Sequence, residues 1–532
     1  MNGFRIIAAG PAARRTALAL AAACAAWTAV PSPAAAESAS EKTAVSENPA
    51  GTSSGKMVTL RVCNWEEYID LGGWEADETI DLPSGDIIGK NSMVEDFEDW
   101  YYQTYGQRVR VEYSTFGTNE DLYNMLSLGD TYDLICPAEY MFMRLMDEGA
   151  LQPLSDGFFD EDNPDNFYIR GVSPYLRQIF ETQERGGESW SKYAAGYMWG
   201  ITGIVYNPAV MTKEQASTWT VLADPAFRRQ ITIKDNVRDS YFAAVGAVNS
   251  ALLTSPDFVN DPDYHEKLED VMNDTSPEMV QKVQDWLQGV KDNAYSFETD
   301  SGKADMITGK VVANYQWSGD AVYTMDQADE DGYQLNFAVP EESTNIYFDG
   351  WVMLKRGIAE DPAKQQAAEA FINFLSRPDN AIRNMYYIGY TSVIAGGPDD
   401  SRIFDYLDWN YGADEDETDT VDYNLDYFFE GDGKSDGTYV ITAPAEAAER
   451  QLYAQYPDTE TIRRASIMRC FTPEESRRTN RMWINVRCYN LKNITPGGRI
   501  FAAVLAAGIV LLVVRKIRRK RNAASIRPPR KG

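Results

Sequence analysis

The feature that most constrains the fold is an alternation of short apolar strands and amphipathic helices between residues 57 and 149. The pattern predicts strands at 57–64, 108–114 and 132–136, and helices at 93–105, 119–128 and 139–148. This order favours a parallel sheet, because parallel neighbours need a crossover connection that is usually a helix. A second block of strands and helices begins near residue 193 and continues to residue 375, and it includes predicted helices at 240–253 and 362–375 and a predicted strand at 350–355. We therefore expect two α/β lobes with doubly wound sheets.

Residues 60–70 place polar side chains where the first predicted strand ends. The stretch reads Leu-Arg-Val-Cys-Asn-Trp-Glu-Glu-Tyr-Ile-Asp, so Trp65, Glu66, Glu67 and Tyr68 follow an apolar strand. In open α/β sheets, ligands bind outside the carboxyl ends of the strands. Aromatic faces attract cations and carboxylates pair with ammonium groups, so this composition favours an organic cation as the ligand. Exposed loop acids beside a core tryptophan would give the same pattern.

More aromatic and acidic residues stand at the ends of later predicted elements. They are Asn236, Asp239, Trp317, Asp320, Tyr347, Asp349 and Tyr390. Simple N-capping of a helix is the alternative explanation for Asn236 and Asp239. A helix cap with a packed tyrosine is the alternative explanation for Tyr390. The repetition of one chemistry at several element ends strengthens the prediction of a cation site.

The beginning of the chain has the pattern of an exported protein. Residues 1–36 contain three arginines, then an apolar run, then Pro-Ser-Pro-Ala-Ala-Ala, which predicts a secretory signal peptide. Lipidation at Cys24 is an alternative, although Ala21 stands where a leucine is usual. Residues 37–56 are rich in small and polar residues and are interpreted as a flexible linker.

The other end of the chain predicts a membrane anchor. Residues 500–514 are all apolar, and a basic tail follows them. We expect a transmembrane helix at 496–514, with residues 515–532 as a cytoplasmic tail because basic flanks stay inside. A buried core helix is the alternative interpretation of the apolar run.

Charge and histidine content exclude several function classes. The net charge is −30, and since the two basic end segments carry +3 and +9, the part between them carries −42. Such a body repels nucleic acid and attracts cations. His265 is the single histidine, which removes most zinc sites and histidine-based catalysis, so no catalytic residue, metal or cofactor is expected. Whether Cys470 pairs with Cys488 is left open by their spacing.

Six stretches together resemble the spermidine/putrescine-binding proteins, the extracytoplasmic receptors of polyamine ABC importers. They occur in the family's order and cover about residues 57 to 490: Asn64-Trp-Glu-Glu-Tyr, Tyr132-Asp-Leu-Ile-Cys-Pro-Ala-Glu-Tyr, Tyr197-Met-Trp-Gly-Ile-Thr-Gly, Gln316-Trp-Ser-Gly-Asp, Phe371-Ile-Asn-Phe-Leu-Ser-Arg-Pro and Ile388-Gly-Tyr. The resemblance implies a two-lobe periplasmic-binding-protein fold with crossovers near Ala195, Asp349 and Gly397. Lobe 1 would comprise residues 57–196 and 349–398, and lobe 2 residues 197–348 and 399–490.

The resemblance also implies a role for each candidate site residue. The aromatic walls would be Trp65, Tyr68, Tyr140, Trp317 and Tyr347, the amine-binding carboxylates Glu67, Asp239 and Asp349, and the lining residue Tyr390. Five positions depart from the family pattern: Glu66 replaces Ser or Thr, Asn236 an acid, Asp239 a Glu, Tyr347 a Trp, and Met468 a Gln. These departures leave the choice between putrescine and spermidine open.

We therefore expect a monomeric receptor that binds a polyamine between its lobes and delivers it to an ABC transporter permease. It would lie outside the cytoplasmic membrane, anchored through the C-terminal helix. A receptor for another organic cation or small solute is one alternative. A glycoside hydrolase is another, with Glu66 or Glu67 acting together with Asp239 or Asp349.

Overall fold

The computed structural model describes residues 57–75, 78–397, 400–431 and 433–488. The predicted signal peptide with Cys24, the linker, the anchor segment 496–514 and the basic tail lie outside these residues. The sixteen strands of the described part are β1 Val58–Trp65, β2 Val109–Phe116, β3 Leu134–Ile135, β4 Leu151–Gln152, β5 Glu184–Arg185, β6 Glu188–Ser189, β7 Ala194–Tyr206, β8 Ile231–Lys234, β9 Ser296–Glu298, β10 Ala313–Trp317, β11 Asn336–Ala338, β12 Thr344–Leu354, β13 Thr391–Ser392, β14 Thr420–Asn424, β15 Val440–Pro444 and β16 Ala465–Ser466.

Helices surround these strands along the whole described chain. The α-helices are Met93–Tyr105, Asn119–Leu128, Glu139–Asp147, Phe167–Gly171, Pro174–Thr182, Lys213–Ala216, Val237–Val248, Ser250–Leu253, Pro256–Val259, Tyr264–Met272, Pro277–Asn293, Ser301–Ile307, Ser318–Glu330, Lys355–Ile358, Pro362–Leu375, Pro378–Ile388, Arg402–Tyr411, Asp426–Glu430, Ala445–Glu449, Gln451–Gln455, Thr459–Arg463 and Pro473–Cys488. Short 3-10 helices occur at Asp156–Phe159, Trp190–Lys192, Trp219–Ala223 and Pro225–Phe227.

The first lobe has the parallel sheet that its sequence predicts. Strand β1 pairs in parallel with β2 on one side and with β3 on the other. The helices between them end where their capping residues require. Ser92 caps the helix Met93–Tyr105 through a capping box, and Gly106 ends it in the left-handed conformation. This is why local sequence alone predicts the bounds of that helix.

Two long strands continue the sheet from one lobe into the other. Strands β7 and β12 pair with each other in antiparallel orientation, and every residue of both is buried. One half of β12 pairs with β3 and β4, whereas the far half of β7 pairs with β10 and β11. The strands therefore cross between lobes close to two of the predicted crossover points, Ala195 and Asp349. The residue bounds of the lobes stay a prediction.

The second lobe is built on the order β7-β10-β8-β9. Strands β8 and β10 are parallel, as are β8 and β9, so their carboxyl ends meet at one edge of the sheet. Lys234 ends β8 and Trp317 ends β10. This edge faces the region where the long strands cross, and it supplies much of the candidate site.

The C-terminal transmembrane helix of the expected fold is corrected. Among the residues described here, no helix combines the length and the apolar character that a membrane crossing needs. The last described helix, Pro473–Cys488, has 16 residues and carries several arginines, whereas a span needs about 20 mostly apolar residues. The proposed segment 496–514 itself lies outside the described residues.

Candidate functional site

Asp349 is a buried carboxylate at the centre of the long strand β12. It lies where the pairing of β12 with β7 shifts register, and its residue is 5% exposed. The Tyr68 hydroxyl donates a hydrogen bond of 2.8 Å to its Oδ2. Burial raises the pKa of Asp349 to about 7, although the Tyr68 hydroxyl and the Trp65 side chain act in the opposite direction. Among the described residues, the side chains that lower the pKa of this buried acid, Tyr68 and Trp65, are both uncharged.

Two tyrosines connect Asp349 to a second buried carboxylate, Asp320. The ring of Tyr68 meets the ring of Tyr390 edge to face at 4.8 Å, and the Tyr390 hydroxyl donates to Asp320 Oδ1 at 3.1 Å. Gly319 permits this approach, because a Cβ there would lie 2.2 Å from the Tyr390 ring. The two acids and two tyrosines thus form one continuous cluster.

Asp320 differs from Asp349 because two lysines neutralise it. It lies in the first turn of the helix Ser318–Glu330, where the helix dipole also favours a negative charge. The Lys234 Nζ is 3.4 Å from Oδ2, and the Lys303 Nζ is 3.2 Å from Oδ1. Burial acts to raise the pKa of Asp320, but Lys303 and Lys234 outweigh it and leave that pKa below its usual value.

Trp317 and Asp239 lie on the far side of Lys234. The Lys234 Nζ is 3.6 Å from the centroid of the Trp317 ring, which is a close cation–π contact. Asp239 is buried, and the Asn236 amide donates to its carboxylate at 2.5 Å. Burial raises the pKa of Asp239, although Asn236, Lys234 and other neighbours act against it. The Asn236 side chain also accepts a hydrogen bond from the Asp239 N–H and so caps the helix Val237–Val248. The N-capping alternative therefore applies to Asn236 in addition to its contact with the Asp239 carboxylate.

Tyr347 reaches the same cluster from β12. Its hydroxyl is 3.4 Å from the Ser318 Oγ, at the start of the helix that carries Asp320. Gly200 of β7 gives both hydroxyls room, since a Cβ at that position would lie within 2.5 Å of each. The structure therefore brings together Tyr68, Asp239, Trp317, Tyr347, Asp349 and Tyr390 through direct or single-residue contacts.

The remaining predicted residues lie at the edges of this cluster. Trp65 packs on Phe116 with ring centroids 4.6 Å apart. Glu66 and Glu67 are both exposed, and Glu67 has a φ of 53°, which places its backbone in the left-handed region. Burial acts to lower the pKa of Lys303, but the charges of nearby carboxylates outweigh it. Asp320 has the largest of these effects, and Glu67 contributes a smaller one.

Tyr140 belongs to a neighbouring group of side chains. The Arg238 guanidinium lies 4.4 Å from its ring centroid, and its hydroxyl is 3.5 Å from Glu120 Oε1. Arg238 also donates to the Arg469 carbonyl at 2.7 Å, so a chain segment far along the sequence covers this end. Tyr140 is therefore adjacent to the Asp239 end rather than to Asp349.

Sequence reasoning missed three charged residues of the site. Lys234 had a detectable signal, because it ends an apolar strand at the same sheet edge as Trp317. Lys303 had none, since it lies on a short helix between strands. Glu139 is buried beside the crossing strands, where the Phe348 N–H donates to its Oε2 at 3.1 Å and burial raises its pKa to about 8. It was predicted only as a helix start.

The described residues also contain a group of acids that lie close enough together to hold a metal ion. Asp426, Glu430 and Asp436 place carboxylate oxygens within 4.8 Å of one another. The Asp426 carboxylate already accepts the N–H groups of Gly437 and Tyr439 at 2.6 and 2.7 Å, so it has a loop-forming role without a metal. Cys470 and Cys488, whose pairing was open, are free thiols in the structure.

Comparisons with known proteins agree with the resemblance read from the sequence. A family model described as bacterial extracellular solute-binding protein matches residues 92–403. The chain is 24% identical to the putrescine-binding periplasmic protein PotF of Escherichia coli, over 62% of this chain and 76% of that protein. It is 23% identical to the spermidine/putrescine-binding periplasmic protein 1 of Haemophilus influenzae, over 53% and 68% of the respective chains.

A solved structure gives the corresponding result for the fold. The spermidine/putrescine ABC transporter substrate-binding protein PotD of Streptococcus pneumoniae superposes with a TM-score of 0.51 and 21% identity. The match covers 81% of this chain and 99% of that one. The two-lobe α/β fold and the family resemblance are confirmed by these comparisons, whereas the assignment of individual site residues stays a prediction.

Proposed function

Because the chain belongs to the bacterial extracellular solute-binding protein family, we propose that it is an extracytoplasmic receptor that binds a polyamine and delivers it to an ABC transporter permease. The relatives named above bind putrescine or spermidine according to their names. We propose the same ligand class for this chain, in the cleft that contains Asp349. A binding role without turnover is part of the proposal, and a monomer is sufficient for it.

The observation that carries the proposal is the setting of Asp349. A carboxylate that is 5% exposed and lies beside tyrosines is costly to ionise without a cation, because burial penalises the charged form. A ligand ammonium would provide that cation and donate hydrogen bonds to the carboxylate. The adjacent rings of Tyr68 and Tyr390 would contact the methylene groups of the same ligand.

The position of Asp349 also suggests how binding would change the protein. The residue lies at the register shift in the pair of strands that cross between lobes. Trp317, Asp239 and Asp320 belong to the sheet edge of the second lobe, whereas Tyr68 belongs to the first. A ligand that contacts both groups would favour lobe closure about these strands, which is hinge closure around a ligand. The permease would then recognise the closed form.

Direct titration of the purified protein tests the proposal. Isothermal titration calorimetry with putrescine, cadaverine, spermidine and spermine is expected to show saturable binding of at least one polyamine. Glutarate and a neutral oligosaccharide serve as controls and should give no heat of binding, because neither has the ammonium that Asp349 requires. Binding of the oligosaccharide with its hydrolysis, or no binding of any amine, would refute the proposed function.

A further inference from the structure

Lys234 places a buried ammonium inside the candidate ligand site. Its residue is 1% exposed, although lysine is among the residues least often buried. The Nζ has three partners: Asp320 Oδ2 at 3.4 Å, the Thr299 carbonyl at 3.1 Å and the face of Trp317 at 3.6 Å. The chain's own ammonium is therefore held by a carboxylate, a carbonyl and an aromatic ring.

These are the partners that an amine ligand would need. A buried ammonium is stable only when a carboxylate and further acceptors replace its water. An aromatic face adds attraction when the contact is desolvated. Lys234 thus occupies a complete ammonium subsite, and it does so through a covalent tether to strand β8.

The second oxygen of Asp320 is also taken. Lys303 lies 3.2 Å from Oδ1, and the Tyr390 hydroxyl donates to the same atom at 3.1 Å. Both oxygens of Asp320 are therefore paired with ammonium groups of the chain itself. A further ammonium from a ligand would find no free oxygen on Asp320.

Asp349, Glu67 and Asp239 remain as site acids that no lysine or arginine of the described residues contacts in an ion pair, although the charges of Lys234 and Arg238 act on Asp239. Asp349 accepts the Tyr68 hydroxyl, and Glu67 is exposed at the rim. A diamine can place one ammonium at the buried Asp349 and the other near Glu67 or in water. The third ammonium of a triamine would have to pair with Asp239, whose carboxylate already accepts the Asn236 amide and lies near enough to Lys234 and Arg238 for their positive charges to act on it.

We infer that Lys234 is a tethered ammonium that fills one amine subsite, so that the cleft selects a short diamine over triamines and tetraamines. This inference rests on the proposed function and names the ligand class of that same site. Lys234 is then a specificity-determining residue: it excludes the extra charge of a longer polyamine by occupying both Asp320 Oδ2 and the Trp317 face.

The substitution Lys234→Met tests the inference, because methionine keeps an unbranched apolar side chain and removes the ammonium. It should free Asp320 Oδ2 and the Trp317 face for a ligand. We expect the parent to bind putrescine more tightly than spermidine, and the ratio of spermidine to putrescine affinity to rise at least tenfold in Lys234→Met. Lys303→Met is the matched control, since Lys303 is 21% exposed and its Nζ contacts Oδ1. The ratio of spermidine to putrescine affinity should change less in Lys303→Met than in Lys234→Met.

A ligand-side measurement keeps the test independent of folding of the variant. Monoacetylated spermidine has the length of spermidine with one ammonium fewer, so the parent protein should bind it more tightly than spermidine. Two results would overturn the inference alone. One is an unchanged ratio of spermidine to putrescine affinity in folded Lys234→Met. The other is weaker binding of the acetylated ligand than of spermidine by the parent protein. Absence of binding of every amine would instead overturn the proposed function and the inference together.

Discussion

Asp349 and Asp320 are equally buried carboxylates of one cluster, and the protein treats them in opposite ways. Each is 5% exposed. Burial raises the pKa of Asp349 to about 7, whereas two lysines hold the pKa of Asp320 below its usual value. The comparison shows that burial sets the cost of a charge and that the partner decides whether the charge is present. Asp320 is part of a completed ion cluster, and Asp349 remains available for a cation from outside the chain.

The largest expected effect is a loss of stability in Asp320→Asn. This change would leave Lys234 and Lys303 without their shared carboxylate, and an uncompensated buried charge typically costs about 3–5 kcal/mol. Urea denaturation without ligand at pH 8 should show this decrease in the free energy of unfolding. The same substitution at Asp349 is the matched control. It should leave the free energy of unfolding equal or higher, because an ionised buried acid without a cation destabilises the folded state. Equal losses in both variants would contradict the comparison.

The next effect concerns ligand affinity in Asp349→Asn. Asparagine can still accept the Tyr68 hydrogen bond but carries no charge for a ligand ammonium. Loss of one partner from a buried charge pair costs on the order of 2–5 kcal/mol, so the dissociation constant for the preferred polyamine should rise about 100-fold. Calorimetric titration measures this change. Affinity close to that of the parent would show that Asp349 does not bind the ammonium.

The smallest effect is the pH dependence of binding. Since the pKa of Asp349 is about 7 in the free protein, a ligand ammonium must displace a proton below that pH. Affinity should therefore fall as pH decreases below 7, approaching about tenfold per unit, and should level off above it. Asp320 does not contribute in this range, because its pKa lies below the usual value.

Titrations between pH 5.5 and 8 in buffers of different ionisation enthalpy would measure the uptake or release of protons directly. The dependence of polyamine affinity on pH should disappear in Asp349→Asn. It should persist in Glu139→Gln, which removes another nearby buried acid, whose pKa burial raises to about 8. A flat wild-type profile would place the binding carboxylate elsewhere.

Much of the fold follows from local sequence. The helices Met93–Tyr105, Asn119–Leu128 and Pro362–Leu375 have the bounds that the sequence predicts, because their caps are encoded by adjacent residues. The helix expected at 240–253 instead begins three residues earlier, at Val237, because Asn236 caps it there. It is also divided into two helices. Strand β12 begins at Thr344 rather than at residue 350. The first half of this strand contains buried polar residues, so it does not form the run of hydrophobic residues that would predict a strand.

Part of the candidate site could also be predicted from the sequence. Trp317 and Asp239 stand at element ends, and parallel strands bring such ends to one edge. The end of an apolar strand indicates that Lys234 lies at the same edge, but local sequence does not show that it is buried, because its burial depends on Trp317, Asp320 and Thr299 from other elements. Glu66 and Glu67 were predicted with the ligand residues, and the structure leaves both exposed.

The sequence by itself determined the α/β class, the capped helices and a set of acids and rings suited to a cation. These properties depend on side-chain periodicity and on neighbours within a few residues. The tertiary structure decided which of those acids is already neutralised, because long-range packing places Lys234 and Lys303 against Asp320, whereas it places the uncharged side chains of Tyr68 and Trp65 against Asp349. Charge compensation depends on distance in space, and the chain order does not specify it.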